Sequence, residues 1–348
     1  MSRLVRENIK KLTPYVCARH EFDGNGILLD ANENSIGSVS EETINRYPDP
    51  YQRTVKEKLA KIKGVASDQI LLANGSDEAI DLLYRAFCNP SLDNVIIMPP
   101  TYGMYEVCAA INDVYLKKVN LDHNFQIDTE GVLKEVTPLT KLIFICSPNN
   151  PTGNTLNPGA INKILSDFDG IVVLDEAYID FSKEKSALTL LDTHPNLVVL
   201  QTFSKAWGMA GARLGMLFAS KEIVELLNTI KPPYNINELT IKAALSALAS
   251  LPKKEAMQEV LLKEREKLLK QLTTLKCVEK VYPSDANFLL VKFDDAKECY
   301  QFLREKGVIV RDRSDTTSCE NCLRITVGTP QENTVLIDAC TEYNKTRK

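Results

Sequence analysis

The chain lacks a strong net charge and a long uninterrupted run of apolar residues. Its 42 lysines and arginines nearly balance its 46 aspartates and glutamates, which leaves a formal net charge of −4. The charges are interspersed, so no basic face or tail invites nucleic acid or an anionic lipid surface. We find no 18-residue apolar span and no signal peptide, so the sequence predicts no membrane segment and a cytoplasmic location.

Histidine is scarce as well, and this limits metal binding. The chain has three histidines and nine cysteines. Cys319 and Cys322 form one CxxC pair, but a structural zinc site needs two further ligands, and no second pair or nearby histidine supplies them. Several other cysteines stand in apolar runs, where a thiol behaves as a small hydrophobic group. We therefore expect no metal site and reduced, structural thiols in a reducing compartment.

The sequence also lacks both glycine-rich nucleotide motifs, GxGxxG and GxxxxGK[ST], which argues against a nucleotide-binding protein. What it does contain is an alternation of short apolar runs with segments of helical periodicity. The runs are rich in β-branched residues, and several are apolar on both faces, which is typical of a mostly parallel sheet covered on both sides. They span residues 70–73, 94–98, 114–119, 141–146, 171–174, 197–201 and 214–219. This pattern predicts an α/β protein.

The pattern changes after Pro232 and Pro233. Residues 253–275 form a long charged and amphipathic stretch that predicts one continuous helix. It is followed by predicted strands at 287–293, 308–311 and 322–327 and a predicted helix at 295–306. These elements indicate a smaller α+β domain. We therefore divide the chain into an N-terminal arm (1–34) that packs against the small domain, a large domain (35–245) and a small C-terminal domain (246–348).

Four of the predicted strands end in polar, turn-prone segments. These segments are residues 74–77, 147–153, 175–178 and 202–205. In an open α/β sheet, ligands bind outside the carboxyl ends of the strands, and parallel strands bring those ends to one edge. We therefore expect Asp175 and Lys205 to lie close together, with Arg213 eight residues after the lysine.

A lysine, a carboxylate and an arginine at one sheet edge are the groups needed to hold pyridoxal 5′-phosphate. Lys205 can form a Schiff base with the aldehyde, Asp175 can pair with the pyridinium nitrogen, and Arg213 can meet the phosphate. Asp175 could instead be a helix cap or a buried acid bonded to a backbone amide. Lys205 could be a solvated loop residue. The hydroxyls of Thr202 and Ser204 beside it would then have no shared function, whereas in a cofactor site they can bind the phosphate together with Arg213.

The two earlier turns are ambiguous when each is taken alone. Ser76 and Asp77 follow Gly75 at the start of a helix, where free backbone amides favour a phosphate, but taken alone this turn is better explained as an ordinary N-cap. Residues 150–153 are all turn formers. Their functional interpretation is that the Asn150 amide bonds the phenolic oxygen of the cofactor, an oxygen that Tyr178 could also reach.

Several segments together resemble a known family. Residues 202–211, TFSKAWGMAG, are similar to the cofactor-attachment motif of the class II pyridoxal-phosphate-dependent aminotransferases. Further segments resemble the histidinol-phosphate aminotransferases within that class. They are residues 12–15, 31–34, 46–48, 99–103, 147–153, 175–178 and 323–328. The resemblance runs in order from about residue 5 to residue 340 without a large gap.

The resemblance implies a fold-type I enzyme, with a mostly parallel seven-stranded sheet in the large domain, that works as a homodimer with each active site at the subunit interface. It implies that L-histidinol phosphate and 2-oxoglutarate are converted to imidazole acetol phosphate and L-glutamate in histidine biosynthesis, by a ping-pong mechanism through Lys205. A threonine-phosphate decarboxylase and an aromatic amino-acid aminotransferase on the same scaffold remain alternatives. A non-catalytic regulator is disfavoured by the intact Lys205, Asp175 and Arg213.

The resemblance also implies roles for individual residues. Lys205, Asp175 and Tyr178 would be catalytic, and Tyr102 would stack on the cofactor ring. The remaining cofactor-binding residues would be Gly75, Ser76, Asp77, Asn150, Thr202, Ser204 and Arg213, with Tyr47 reaching the phosphate from the other subunit. The substrate-binding residues would be Arg311 and Arg324 at the acidic group and Tyr15 and Asn32 near the side-chain end of the pocket. The polar loop at 312–321 lies near Arg311 and could alter substrate preference.

Overall fold

A seven-stranded sheet organises the larger part of the protein in the computed structural model, which describes residues 2–17, 19 and 26–347. Its strands are β1 (Ile70–Asn74), β2 (Asn94–Ile97), β3 (Tyr115–Lys118), β4 (Thr140–Cys146), β5 (Ile171–Asp175), β6 (Leu197–Thr202) and β7 (Leu214–Ala219). The order is β1-β7-β6-β5-β4-β2-β3, and β7 alone runs antiparallel to its neighbours. The carboxyl ends of β1, β4, β5 and β6 therefore meet at one edge, as predicted.

Helices cover both faces of this sheet. They are α1 (Glu7–Lys10), α2 (Arg53–Lys63), α3 (Gly75–Phe87), α4 (Met104–Ile111), α5 (Thr129–Glu135), α6 (Pro158–Asp167), α7 (Lys221–Ile230) and α8 (Glu238–Leu248). Strand β4 shows why its sequence is apolar throughout. Ile143 and Ile145 pack into the core on one face, while Leu142 and Phe144 pack into the core on the other, so alternation of polar and apolar residues is absent.

A second, four-stranded sheet forms the smaller part. Its elements are α9 (Leu251–Thr273), β8 (Val278–Val281), β9 (Phe288–Phe293), α10 (Ala296–Glu305), β10 (Arg311–Asp312), β11 (Cys322–Thr326) and α11 (Pro330–Thr346). The strand order is β10-β11-β9-β8, and all pairs are antiparallel. Leu268 and Leu272 of α9 and Tyr343 of α11 pack over Leu289 and Val291 of β9. One face of this sheet thus carries its own core.

The predicted fold class is confirmed by this architecture, with two local differences. The predicted strand at 308–311 is reduced to Arg311–Asp312, because Val308 still donates its backbone N–H to Leu303 in the turn after α10. Strand β8 was not predicted, because its sequence VEKV carries adjacent charges. The domain boundaries themselves stay a prediction.

The first described residues of the chain pack on the core of the large sheet. Leu4 and Val5 contact the core between the large sheet and α3, and the backbone N–H of Arg6 donates to Ala86 at 3.1 Å. These first residues of the arm therefore lie against the large domain, and the expected packing of the arm on the small domain stays a prediction.

All nine cysteines are free and buried. Burial raises the pKa of the Cys319 and Cys322 thiols to about 12, which keeps both protonated at neutral pH. Within the described ranges, no group of three or more histidine, cysteine or acidic side chains is placed to hold a metal ion. No helix in the same ranges combines the length and the apolarity needed to cross a bilayer.

Candidate active site

A cavity of about 480 Å³ opens at the carboxyl edge of the large sheet. The turns after β1, β4, β5 and β6 form one part of its lining, and residues of β10 and β11 close it from the small sheet. The predicted site residues that line it are Gly75, Ser76, Asp77, Tyr102, Asn150, Asp175, Tyr178, Thr202, Ser204, Lys205, Arg213, Arg311 and Arg324. Two separate sheets thus contribute to one cavity.

Asp175 is a buried acid at the end of β5. One carboxylate oxygen accepts a hydrogen bond of 2.7 Å from the Tyr105 hydroxyl, and the other accepts one of 3.0 Å from the Ala177 backbone N–H. Burial raises the pKa of Asp175, and these two bonds oppose the rise. A buried carboxylate held in this way favours a cationic partner, and a protonated pyridine nitrogen is one.

Lys205 lies in the turn after β6, with its ammonium nitrogen 5.4 Å from the centre of the Tyr178 ring. Burial lowers the pKa of Lys205, and the nearby Arg324 guanidinium lowers it further, while Asp175 acts in the opposite direction. A lysine with a lowered pKa is neutral more of the time at physiological pH. It is therefore a better nucleophile and proton acceptor than an exposed lysine.

The turn between β1 and α3 forms a cradle for an anion. Gly75 has a φ of +72°, and its backbone N–H donates to the Arg213 carbonyl at 2.8 Å. A β-carbon at Gly75 would lie 2.6 Å from a terminal nitrogen of the Arg213 guanidinium and would displace it, and the positive φ also favours glycine. The free amides that begin α3, the Ser76 hydroxyl and this guanidinium are donors that suit a phosphate. The set fits the phosphate of pyridoxal 5′-phosphate.

Two residues expected around the cofactor also bond within the protein. The Thr202 hydroxyl accepts from the Ser204 backbone N–H at 3.0 Å and donates to the Leu214 carbonyl at 3.3 Å, so it shapes the turn that carries Lys205. The Tyr102 hydroxyl donates to the Asp77 carboxylate at 2.9 Å. This bond fixes the tyrosine ring at the cavity wall.

The arginine pair lies on the small sheet. Arg311 and Arg324 stand opposite each other across β10 and β11, so their side chains share one face of the sheet. Arg324 donates to the Asn150 side-chain oxygen at 2.5 Å and lies 5.4 Å from the Phe288 ring centre. Burial lowers the pKa of Arg324. The Asn150 amide therefore orients an arginine, a contact that the sequence did not indicate.

Sequence reasoning missed several residues at this site. The additional lining residues are Cys146, Ala177, Ala210 and Arg313, and Tyr105 supports Asp175 from behind. Tyr105 lies in the first turn of α4, three residues after Tyr102, and the two ring centres are 5.6 Å apart. Its nearness in the sequence to Tyr102 was the available signal. Arg313 belongs to the polar loop at 312–321. Among the other charged residues of that loop, nothing in the sequence marked it as a residue that lines the cavity.

Three predicted residues lie outside this cavity. Tyr47 is half exposed and stacks on Tyr234 with ring centres 4.5 Å apart. With Asn32 it lines a separate cavity of about 480 Å³. Tyr15 is 76% exposed. The roles assigned to these three residues stay predictions, because a single chain does not bring them to Lys205.

Comparisons with known proteins agree with this geometry. Residues 22–340 match the family model described as aminotransferase class I and II. The histidinol-phosphate aminotransferase of Cytophaga hutchinsonii is 54% identical over 344 residues, 99% of both chains. That of Parabacteroides distasonis is 53% identical over 337 residues, 97% of this chain and 96% of the relative. The solved histidinol-phosphate aminotransferase of Clostridium acetobutylicum has the same fold, with a TM-score of 0.80 at 23% identity over 87% of this chain and 92% of that one. The chain therefore belongs to the class I and II aminotransferases, which depend on pyridoxal 5′-phosphate.

Proposed function

We propose that this protein transfers the amino group between L-histidinol phosphate and 2-oxoglutarate, a step of histidine biosynthesis. The observation that carries the proposal is one cavity in which Lys205 and Asp175 face a pair of arginines, Arg311 and Arg324. Relatives about 50% identical over nearly the whole chain bear the name of that activity.

The cofactor in this proposal is pyridoxal 5′-phosphate. The turn that begins at Gly75, the Ser76 hydroxyl and Arg213 would hold its phosphate, and Asp175 would pair with its ring nitrogen and keep that nitrogen protonated. When bound, the cofactor supplies an electron-withdrawing ring that stabilises negative charge on the substrate carbon next to the amino group. Tyr102, at the cavity wall, would stack on one face of the ring.

Lys205 moves the proton. Its lowered pKa keeps a fraction of the amine neutral at physiological pH. The neutral Lys205 amine can therefore take the proton from the substrate carbon that carries the amino group and deliver it to the aldehyde carbon of the cofactor. Tyr178 lies beside Lys205 and is buried. Its hydroxyl stays protonated, because burial raises its pKa, so it can donate a hydrogen bond to the phenolic oxygen of the cofactor.

Arg311 and Arg324 bind the acidic end of each substrate in turn. The amino donor presents a phosphate, and 2-oxoglutarate presents a carboxylate. A guanidinium can bond either group through two parallel N–H donors. This shared use explains why one cavity serves both halves of the reaction.

We propose further that the active form is a cytoplasmic homodimer in which Tyr47, Asn32 and Tyr15 serve the neighbouring subunit's site. The support is the exposed apolar surface near the beginning of the chain, since such surface marks contact sites. Its most exposed members are Ile27, Leu29, Ile36 and Val39, each at least 80% exposed.

The function is tested by assaying the purified protein with histidinol phosphate and 2-oxoglutarate, and by the variant Lys205→Ala. We expect glutamate formation by the native enzyme, none by Lys205→Ala, and native rates for the control Lys270→Ala, whose side chain is exposed on α9. Carbon dioxide release without 2-oxoglutarate would identify a decarboxylase instead. Native turnover by Lys205→Ala would overturn the assignment of the lysine.

A further inference from the structure

A third arginine, Arg313, lines the same cavity as Arg311 and Arg324. Its backbone N–H donates to the Cys322 carbonyl at 2.9 Å, which extends the pairing of β10 and β11 by one residue. Arg311 and Arg313 are two residues apart along this extended strand. Their side chains therefore point to the same face, where Arg324 also lies.

The Arg313 side chain carries a buried hydrogen-bond donor, the Nε, that has no partner. Burial lowers the pKa of Arg313, and the neighbouring Arg324 and Arg311 lower it further. Arg313 lines the cavity and lacks a full set of acceptors, so the position favours a ligand that accepts a hydrogen bond.

The three arginines share an excess of positive charge. Among the described residues, no carboxylate lies within ion-pair distance of any of them. The two acids that line the cavity are otherwise engaged, since Asp77 lies 3.5 Å from Arg213 and Asp175 accepts from Tyr105. Three mutually repelling cations are stabilised better by a dianion than by a single negative charge.

We propose that Arg313 is a specificity-determining residue that binds the dianionic phosphate of the amino donor and contributes much less to binding the carboxylate of 2-oxoglutarate. The inference rests on the proposed function and deepens it, because it assigns different substrate-binding roles to the three arginines. Arg311 and Arg324 serve both substrates, whereas Arg313 discriminates between them. The loop at 312–321 thereby sets substrate preference.

The test compares Arg313→Gln and Arg313→Lys with the native holoenzyme. For Arg313→Gln we expect kcat/KM for histidinol phosphate to fall about tenfold or more, mainly through KM, with a change below about threefold for 2-oxoglutarate. Inhibition by inorganic phosphate should weaken in parallel. Arg313→Lys keeps the charge but not the planar fork, so it should recover part of the loss. The control Arg304→Gln, exposed on α10, should match the native enzyme.

The outcomes separate this inference from the proposed function. Absence of histidinol-phosphate turnover by the native enzyme would overturn the function itself. Native turnover with equal losses for both substrates in Arg313→Gln would overturn the role of Arg313 as a discriminating residue, and so would unchanged phosphate inhibition. If Arg313→Gln fails to fold, Arg313→Lys decides: a selective rise in KM for histidinol phosphate supports the inference, and an equal rise for both substrates refutes it.

Discussion

At the level of single residues, the site is built from groups whose charges are costly until a ligand arrives. Burial raises the pKa of Asp175 and lowers that of Lys205 and Arg324, so each shift disfavours the charged form. Such opposed shifts of acids and bases in one cleft are typical of functional sites. These pKa shifts fit a ligand that carries a cationic group to pair with Asp175 and anionic groups to pair with the arginines.

The Tyr105 hydroxyl donates a hydrogen bond to the Asp175 carboxylate, and the variant Tyr105→Phe tests its effect on the pKa of Asp175. The hydroxyl stabilises the charged carboxylate of Asp175, so its removal should raise the pKa of Asp175 further. The acidic limb of the kcat profile should then move to higher pH. In the cofactor-free protein, the variant should lose roughly 1–3 kcal/mol of unfolding free energy at high pH.

The sign of the pH dependence follows from linkage. The substitution raises only the folded-state pKa of Asp175. The added destabilisation is therefore present above that pKa, where the carboxylate is charged, and it diminishes as the pH falls below it. Unfolding in denaturant at several pH values measures the difference. An equal loss at all pH values would show that the Tyr105 hydroxyl does not act through the charge of Asp175, since phenylalanine keeps the ring that lies 4.8 Å from Phe144.

At the level of elements, the turns after the strands could be predicted, whereas contacts made across elements could not. Asp175 ends the apolar strand β5 and Lys205 lies in the turn after β6, and the position of a parallel strand fixes where its carboxyl end lies. Tyr105 supports Asp175 only because α4 packs on the sheet, and no local pattern encodes that packing. Arg313 was hidden for a different reason, since a charged residue in a polar loop looks like any solvated side chain.

Helix α9 holds the loop that carries Tyr178. Lys254 donates to the Asp180 carboxylate at 2.7 Å, and the exposed fractions of the two side chains are only 11% and 19%. We expect Lys254→Met to leave a largely buried carboxylate unpaired and to cost about 3 kcal/mol of unfolding free energy. Turnover should fall as well, because the loop that positions Tyr178 is loosened.

The same helix offers a matched control. Lys263 pairs with Glu259 at 2.7 Å, but both side chains are about two-thirds exposed or more. Lys263→Met should therefore cost only about 0.5 kcal/mol or less. Equal effects of the two substitutions on thermal unfolding would contradict a structural role for the pair formed by Lys254 and Asp180.

Strand β7 passes unusually close to the turn between β1 and α3. A β-carbon at Gly215 would lie 2.3 Å from the Gly75 carbonyl carbon and 2.4 Å from the Ser76 nitrogen, and backbone atoms cannot move aside cheaply. Gly215→Ala should cost about 1–3 kcal/mol of unfolding free energy and weaken cofactor binding, because the anion cradle shifts. Gly211→Ala is the control, since its β-carbon would meet nothing within 4 Å. Native cofactor affinity in Gly215→Ala would refute the link between this packing and the cradle.

At the scale of the whole molecule, the site depends on the contact between the two sheets. The backbone N–H of Asp285, just before β9, donates to the Gly153 carbonyl at 2.7 Å, and its carboxylate accepts from the Thr155 hydroxyl at 2.8 Å. These bonds tie the turn after β4 to the small sheet that carries Arg311 and Arg324. The sequence indicated both parts but not this junction, because residues 153 and 285 are distant along the chain.

Tyr47 offers a test of the homodimer, because it is half exposed and lies outside the cavity that contains Lys205. If it serves the neighbouring subunit, Lys205→Ala and Tyr47→Ala fail in different sites of a mixed dimer. One of the two sites then carries both substitutions and the other carries neither. Random mixing in equal amounts makes half of the dimers mixed, so about one quarter of native activity should return.

The measurement is turnover after both inactive or weakened variants are unfolded and refolded together, with light scattering to give the oligomeric state. Each variant refolded alone is the control, and Lys205→Ala mixed with Lys205→Ala/Tyr47→Ala should recover nothing. Activity of the mixture equal to the average of its separately refolded components would contradict a shared site. Recovery with a monomeric mass would contradict the dimer, since complementation between chains requires that they remain in contact.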